Sequence, residues 1–434
     1  MNFAHFRRAL LRPILAAAVP IAYETSAPPG GHGELDTPAV WVAPDPAQSL
    51  LLVTDKTQDW VEIHSATTNT YLGRLGGSGT GIGRLSRPNA VTVAYAVPTT
   101  AGPRDVLFVV ERDNHRVAAY YLPYGLSLGS IGETELHEPM GIAVHWDGAQ
   151  PQIWVTEMGT TPQRVVVFDV VPSPTGLTGV QRFAFNVPAS SVLESIAVDA
   201  ANGRVIVSDE GSFDVMVFDM QGTFLQRFGT GRFFDDPEGI AIYDTGNGTG
   251  YVIVTDQVAS PTTWEVFDRQ SLNFILQFNG PTKGTDGIAL VQQALPNFPQ
   301  GSFFAVHEDR AVHAYDWSAI GAATGLCVST PCVPSAVLDP GDRGLGSIMP
   351  FPSPLRRSGT LRYRLEHPAA VEIAVYDLRG AVVAQLARAT RPSGWHAITW
   401  DGRDRAGVPL PSGVYFVRTH LGDTTSSHKI TLLR

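Results

Sequence analysis

The chain has 434 residues, 44% of them hydrophobic and only 17% charged, which is ample for a large packed core. A formal net charge of −10 argues against nucleic acid as a partner, although cations bound locally would still let an anionic ligand approach. Gly (43) and Pro (32) are abundant, as many short strands and tight turns require, and long helical periodicity is nearly absent.

The opening MNFAHFRRALLRPILAAAVPIA sets Arg7, Arg8 and Arg12 before a short apolar run from Ile14 to Ala22. This predicts a secretory signal peptide over residues 1–25, its apolar core interrupted by Pro13 and Pro20; a disordered basic tail is the other reading. The run is too short to span a membrane, and no later segment looks transmembrane. Glu24 to Gly33 reads as a flexible lead-in.

A unit then recurs, clearest in DDPEGIAIYDTGNGTGYVIVTDQ from Asp235 to Gln257. Two β-branched runs flank a Gly/Asn turn, the signal of a hairpin. Aligned on the second run, LLVTDK, FVVERD, WVTEMG, IVSDEG, IVTDQV and AVHEDR place Asp55, Glu111, Glu157, Asp209, Asp256 and Glu308 two positions after a valine. The intervals are 56, 46, 52, 47 and 52 residues. A third strand follows each (VEIHS, VAAYYL, VVVFDV, VMVFDM, WEVFDR and VHAYDW). A period near fifty, with several short strands per repeat, marks the blades of a propeller. The fold class is therefore all-β, with a six-bladed β-propeller over residues 34–320. Trp41, Trp60, Trp154, Trp264 and Trp317 recur at strand positions and are expected between blades. His115, His307 and His313 are read as surface or packing residues.

Residues 321–346 read as a linker, with Cys327 and Cys332 in the turn-like CVSTPC; a small disulfide loop suits an exported protein. From 347 to 434 the pattern changes to alternating strands around a DLRG turn, then GWHAITWDGRDRAGVPLPSGVYFVRT and HKITLLR. This stretch resembles the FlgD-like immunoglobulin-type module through Tyr376-Asp377, Gly380, His396, Trp400-Asp401-Gly402, Gly407 and Ser412 to Tyr415. The resemblance implies a small β-sandwich, either a surface-attachment or sorting module or a plain spacer.

In a propeller the first strand of each blade lines the central channel. The residues opening these strands are Pro38-Ala39, Asn89-Ala90, Met140-Gly141, Glu194-Ser195, Glu238-Gly239 and Asp286-Gly287. Asn89, Glu194, Glu238 and Asp286 should converge at one mouth, with Glu210 and Asp309 from following turns nearby. Carboxylates aimed at one small volume repel one another unless a cation is present. The candidate ligands are all oxygens, without paired His or Cys, which selects Ca²⁺ before Mg²⁺. The ring Asp55, Glu111, Glu157, Asp209, Asp256 and Glu308 has a structural alternative, since acidic side chains at strand ends cap backbone amides with the same chemistry.

The order of motifs resembles the β-propeller phytases, calcium-dependent enzymes that remove phosphates from inositol hexakisphosphate. DTPAVWVAP is similar to that family's opening strand, and ESIAVDAANGRVIVSDE to its EGxAxD…G…YIAEE segment. DPEGIAIYDTGNGTGYVIVTDQ with WEVFDRQ resembles DIEGLTIY…GKGYL…SSQ…YAIYDRQ, and TDGIAL with FFAVHED resembles TDGI and FVAQD. The resemblance implies calcium ligands at Asp36, Glu194, Glu210, Glu238, Asp286, Gly287 and Asp309, catalysis at Glu194, Glu210 and Glu238, and substrate phosphate at Lys56 and Arg112. It further implies a phosphorylated small-molecule substrate and attack by a metal-activated water. The chain is read as an exported monomer. Several positions depart from the family: its Asp-Asp-Pro is Asp36-Thr37-Pro38, its paired lysines are Lys56-Thr57, and blade three carries Met140 with Glu157 or Met158. Phytate carries many negative charges, and fewer cationic side chains should hold it less well. VVERDNHRVAAYYL also resembles an NHL strand pair, so a non-catalytic binding propeller stands as one alternative, and a metal-dependent lactonase as another. A lactonase needs one compact single-metal cage; a phytase needs several Ca²⁺ beside cationic side chains; a pure binder would leave the carboxylates scattered and capped by backbone.

Overall fold

The computed structural model describes residues 16–188, 192–258, 260–328, 348–349, 355, 359–365, 367–377, 381–392, 394–422 and 424–433. They form two compact units, Met1–Ser335 and Ala336–Arg434.

The first unit is a β-propeller of six antiparallel sheets. Their innermost strands are Leu35–Trp41, Pro88–Val97, Pro139–Asp147, Leu193–Asp199, Pro237–Gly246 and Ile288–Val291, and each packs beside the next until the sixth meets the first. The second strands are Leu50–Asp55, Arg104–Glu111, Gln150–Glu157, Arg204–Asp209, Thr249–Asp256 and Ser302–His307. The apolar character of each strand follows from its radius. Val205, Ile206 and Val207 in the second strand of blade four are all fully buried, because a neighbouring blade covers each face, so the run does not alternate. The outermost strand Tyr71–Gly76 alternates half-buried and exposed positions from Tyr71 to Arg74 because one side meets water. Trp154 and Trp264 are buried within clusters shared between blades three and four and between five and six. The turn of the clearest hairpin is Asn247–Gly248, with φ of 54° and 73°, the two positive values that a two-residue type I′ turn needs.

The propeller begins earlier than residue 34. Tyr23–Glu24 pairs antiparallel with His313 and Ala314 as the outermost strand of blade six. Ala17–Ala18 runs parallel to Phe278–Asn279 on blade five, and Val19 is buried in the core there. A leader reaching residue 25 would remove the fourth strand of blade six; residues 1–15 lie outside the described part.

The propeller also extends past 320. Helix Trp317–Thr324 is capped by Asp316, whose carboxylate accepts from the Ser318 amide at 2.9 Å, and it ends at Gly325 with φ 75°. Trp317, Ile320 and Leu326 join the core of blades five and six. The expected linker therefore starts later than 321. Cys327 is buried, while residues 329–332, Cys332 included, lie outside the described residues.

The second unit pairs a sheet of Ile348–Met349, Gly359–Leu365 and Gly394–Trp400 with one of Val382–Arg391, Ala369–Tyr376, Gly413–Leu421 and Thr424–Leu432. Alternate residues Val371, Ile373 and Val375, with Val417 beside them in the same sheet, share one core with Leu361, Tyr363 and Trp400 of the other, the period-two pattern of a sandwich. The Tyr415 hydroxyl donates to the Pro411 carbonyl at 3.0 Å, like the tyrosine corner of immunoglobulin-type folds. Gly380 lies outside the described residues.

Candidate metal centre in the central channel

The inner strands of blades one to five open on a register slip. Leu35 pairs with Asp55 but Pro38 pairs with Val53, and the same extra residue occurs at Pro88/Val91, Pro139/Ile142, Leu193/Ile196 and Pro237/Ile240. A bulge re-aims a side chain. The re-aimed residues are Asp36, Asn89, Met140, Glu194 and Glu238, with Asp286 just before the Ile288–Ala305 pair of blade six. All six line one cavity of about 350 Å³ along the propeller axis. The position in blade one is thus Asp36-Thr37, two residues before the expected Pro38-Ala39, because the bulge precedes regular pairing.

The following residue ties neighbouring blades together. The Gly239 amide donates to the Asp286 carbonyl at 3.0 Å, and Gly287 to Asp36 at 3.1 Å. A Cβ on Gly287 would come within 2.7 Å of the Asp36 carbonyl oxygen. Gly287, expected as a ligand, is thus held between Asp36 and the Val306 amide, which its own carbonyl accepts.

A second tier comes from the turns after the second strands. The amides of Lys56, Arg112, Met158, Glu210, Gln257 and Glu308 donate to the carbonyls of Glu34, Arg87, Glu138, Val192, Asp236 and Lys283, so these six positions are equivalent. Lys56 Nζ lies 2.5 Å from Asp36 and 3.6 Å from Asp286, and the Gln257 side-chain amide donates to Asp286. Glu210 closes on Glu194 and Glu238, each offering an oxygen within 4.8 Å of the others. Arg112 is instead paired with Glu138 at 3.1 Å, and Asp309 offers its carbonyl to the Leu35 amide at 2.8 Å. Gln257 was missed from sequence; its signal is its place directly after Asp256, matching Lys56 after Asp55 and Glu210 after Asp209.

The valine-anchored acids belong to neither tier. Asp55, Glu111, Glu157, Asp209 and Asp256 are fully buried and cap the backbone leading into the inner strand. Asp55 accepts from the amides of Gly33 and Glu34, Asp256 from Phe234 and Asp235, and Asp209 from Val192. Glu111 and Glu157 add Arg116 at 2.6 Å and Arg164 at 2.7 Å. In blade six this post is held by His307, whose Nδ1 accepts from the Lys283 amide at 3.1 Å. Placing Glu308 in that ring is therefore corrected by one residue: it stands in the tier of Lys56 and Glu210.

The mouth carboxylates have few such partners. Burial, reinforced by Glu194, Asp286 and Glu210, pushes the Glu238 carboxyl well above its ordinary range. Burial and the charges of Glu210 and Asp36 do the same to Glu194, with Lys56 opposing. Burial and Asp36 push Asp286 up to about 7. Burial would lower the Lys56 ammonium, but Asp36 and Asp286 hold it above its usual value. On the opposite arc, Asn89 is 4% exposed, its Nδ2 facing Met140 Sδ at 3.6 Å and its Oδ1 lacking a hydrogen-bond partner. Crowded carboxylates and an unsatisfied amide oxygen in one cavity are the donor set of a hard divalent cation. Glu194, Glu210 and Glu238 are the residues that would hold it.

A second cluster, Glu24, His307 and His313, also brings ligand atoms together. Its two imidazoles are stacked, 4.2 Å apart and 22° from parallel, so their in-plane lone pairs do not meet at one ion.

Residues 356–421 match the FlgD Ig-like domain family, so the C-terminal module has the expected identity. Among solved structures, the chain is similar to PorZ, an essential surface component of the type-IX secretion system of Porphyromonas gingivalis, with 13% identity and a TM-score of 0.40. That similarity covers 92% of this chain and 51% of PorZ, so the chain spans about half of PorZ's length. Regucalcin of Agrobacterium tumefaciens, a calcium-binding protein, is 12% identical over 69% of this chain and 95% of its own, with a TM-score of 0.45. Hydrazine synthase of Kuenenia stuttgartiensis is 11% identical over 71% and 98%, with a TM-score of 0.39. Among the described residues no helix is long and apolar enough to cross a membrane.

Proposed function

We propose that the propeller is an exported, calcium-dependent hydrolase of phosphomonoesters that works at the mouth of its channel. The observation that carries this reading is the convergence of Glu194, Glu210 and Glu238 with no backbone cap among their recorded partners, beside five acids of the same repeats that are fully capped. Calcium, when bound, supplies the positive charge that draws in a phosphoryl group and acidifies water. Glu194 and Glu238, the more enclosed pair, hold that charge in place. Glu210, the least enclosed of the three, is set to take the proton released by an attacking water. Arg112, 30% exposed at its side chain, is the cation free to turn from Glu138 toward a phosphate. Lys56 is committed to Asp36 and Asp286, and Met140 and Met158 occupy blade three. The site therefore suits a single phosphate better than phytate's many.

A second reading, a single-cation lactone or ester hydrolase, is favoured by that same commitment of Lys56, which leaves one compact cage. The deciding experiment measures phosphate release from phytate and from a simple monophosphate, with calcium or with chelator, beside Glu238→Gln. Calcium-dependent release that the variant loses supports the proposal. Release untouched by chelator or by the variant sinks it, and cleavage of lactones without phosphate release transfers the site to the second reading.

A further inference from the structure

The geometry points to a substrate with two parts: an anionic head at the mouth and a straight alkyl tail lying in the channel behind it. This rests on the cation-dependent reading of the mouth given above. Four residues beyond each mouth position stand Val40, Val93, Val144, Val198, Ile242 and Leu290, one from every blade. All six are only half-buried, and all line the same cavity as the carboxylates. The layer between them and the mouth is Val, Ile and a single Pro. Among the residues that line the cavity, the charged ones are Asp36, Glu194, Glu238 and Asp286, all at one end. Four residues of strand set the last of these layers roughly 13 Å behind the mouth.

The six aliphatic side chains offer water no hydrogen bond, and the polar surface between them comes from Thr92, Tyr95 and the free edges of the inner strands. An alkyl chain would cover the aliphatic part of this wall. Apolar side chains left open within a fold mark a binding site, and charged groups gathered at one end of a pocket fix a ligand's orientation as well as its place. A polyanion such as phytate would set its remaining phosphates against this wall. An alkyl phosphate sets one phosphate at the mouth and removes its chain from water.

The test is calorimetric binding of ethyl, butyl, hexyl, octyl and decyl phosphate to the full chain with calcium present, below their micelle concentrations, alongside phosphate release. Affinity should rise about two- to fourfold per added methylene, then level off once the chain outgrows the channel. Val144→Thr with Val198→Thr, nearly isosteric, should flatten the rise, and Ile242→Phe should bring the plateau to a shorter chain. Equal affinity across the series, or a rise that neither variant alters, overturns the inference. Chain-length-dependent binding without phosphate release would sink the hydrolase reading and keep this one; release without chain-length dependence would do the reverse.

Discussion

Two sets of acidic side chains lie a few residues apart in the same repeats and do opposite things. Asp55, Glu111, Glu157, Asp209 and Asp256 are fully buried, yet each meets backbone amides, and three of them meet an arginine. Asp36, Glu194, Glu238 and Asp286 line the cavity and face chiefly one another and Lys56. Burial alone does not make a metal site; what separates the sets is whether the carboxylate's lone pairs are already used. The capping set stabilises the fold as it stands, whereas the crowded mouth set is destabilising unless a cation binds there.

The sharpest way to break this contrast is Glu157→Ala. It removes the acceptor of the Arg164 Nε and of the His137 amide, while Arg164 keeps the Glu135 carbonyl, and loss of one partner of a largely buried pair costs about 3 kcal/mol. The urea midpoint should fall accordingly while the calcium-induced rise in melting temperature persists. A lost calcium response would move Glu157 into the metal centre.

Acid should act differently on the mouth. Asp286 titrates near 7 in the fold, above an ordinary aspartate, so the folded chain binds more protons than the unfolded one between about pH 4 and 7. Cation-free stability should therefore decline by roughly 2 kcal/mol as pH rises through that window, and calcium should remove the decline. Urea titrations in chelator at both ends of the window check the sign.

Glu238→Gln removes one charge from the crowd. It should raise cation-free stability by about 1 kcal/mol while abolishing the calcium response; a lower melting temperature in chelator would contradict the repulsion argument. The smallest effect is expected from Asn89→Asp, which extends the acidic arc into blade two. Cation-free stability should drop by about 1 kcal/mol or less and calcium affinity should rise, both readable by calorimetry.

Blade number and the mouth positions of blades two to six could be read from sequence because each copy keeps a small residue before an aliphatic run, preceded by a polar or acidic residue in all of them but blade three, where Met140 stands. Blade one was displaced by two residues, since Pro38-Ala39 mimics that pattern while the bulge lies at Asp36-Thr37. Blade six was displaced in the capping ring, where VHE satisfies a valine-to-acid spacing although His307 does the capping. A pattern written for carboxylates cannot see an imidazole that accepts the same hydrogen bond. The strand at Tyr23–Glu24 left no trace at all: its two residues sit in leader-like composition, and their extended form is imposed by partners 289 positions away. The spacing of Glu194, Glu210 and Glu238 within 4.8 Å likewise depends on how neighbouring blades tilt, which no local pattern encodes.

That distant strand also sets an order of events. On the ribosome, Tyr23–Glu24 waits for His313 and Ala314 to be made, roughly 15–60 s at ordinary synthesis rates. Until then blade six lacks its third strand, Tyr23–Glu24 has no edge to join, and the ring is an open arc. From the moment Ala311–Asp316 is made until its own Tyr23–Glu24 docks, that strand is an unpaired edge, a template that a second copy of the chain could fill with its Tyr23–Glu24. The joint that completes the monomer is therefore also where two chains made side by side would become entangled.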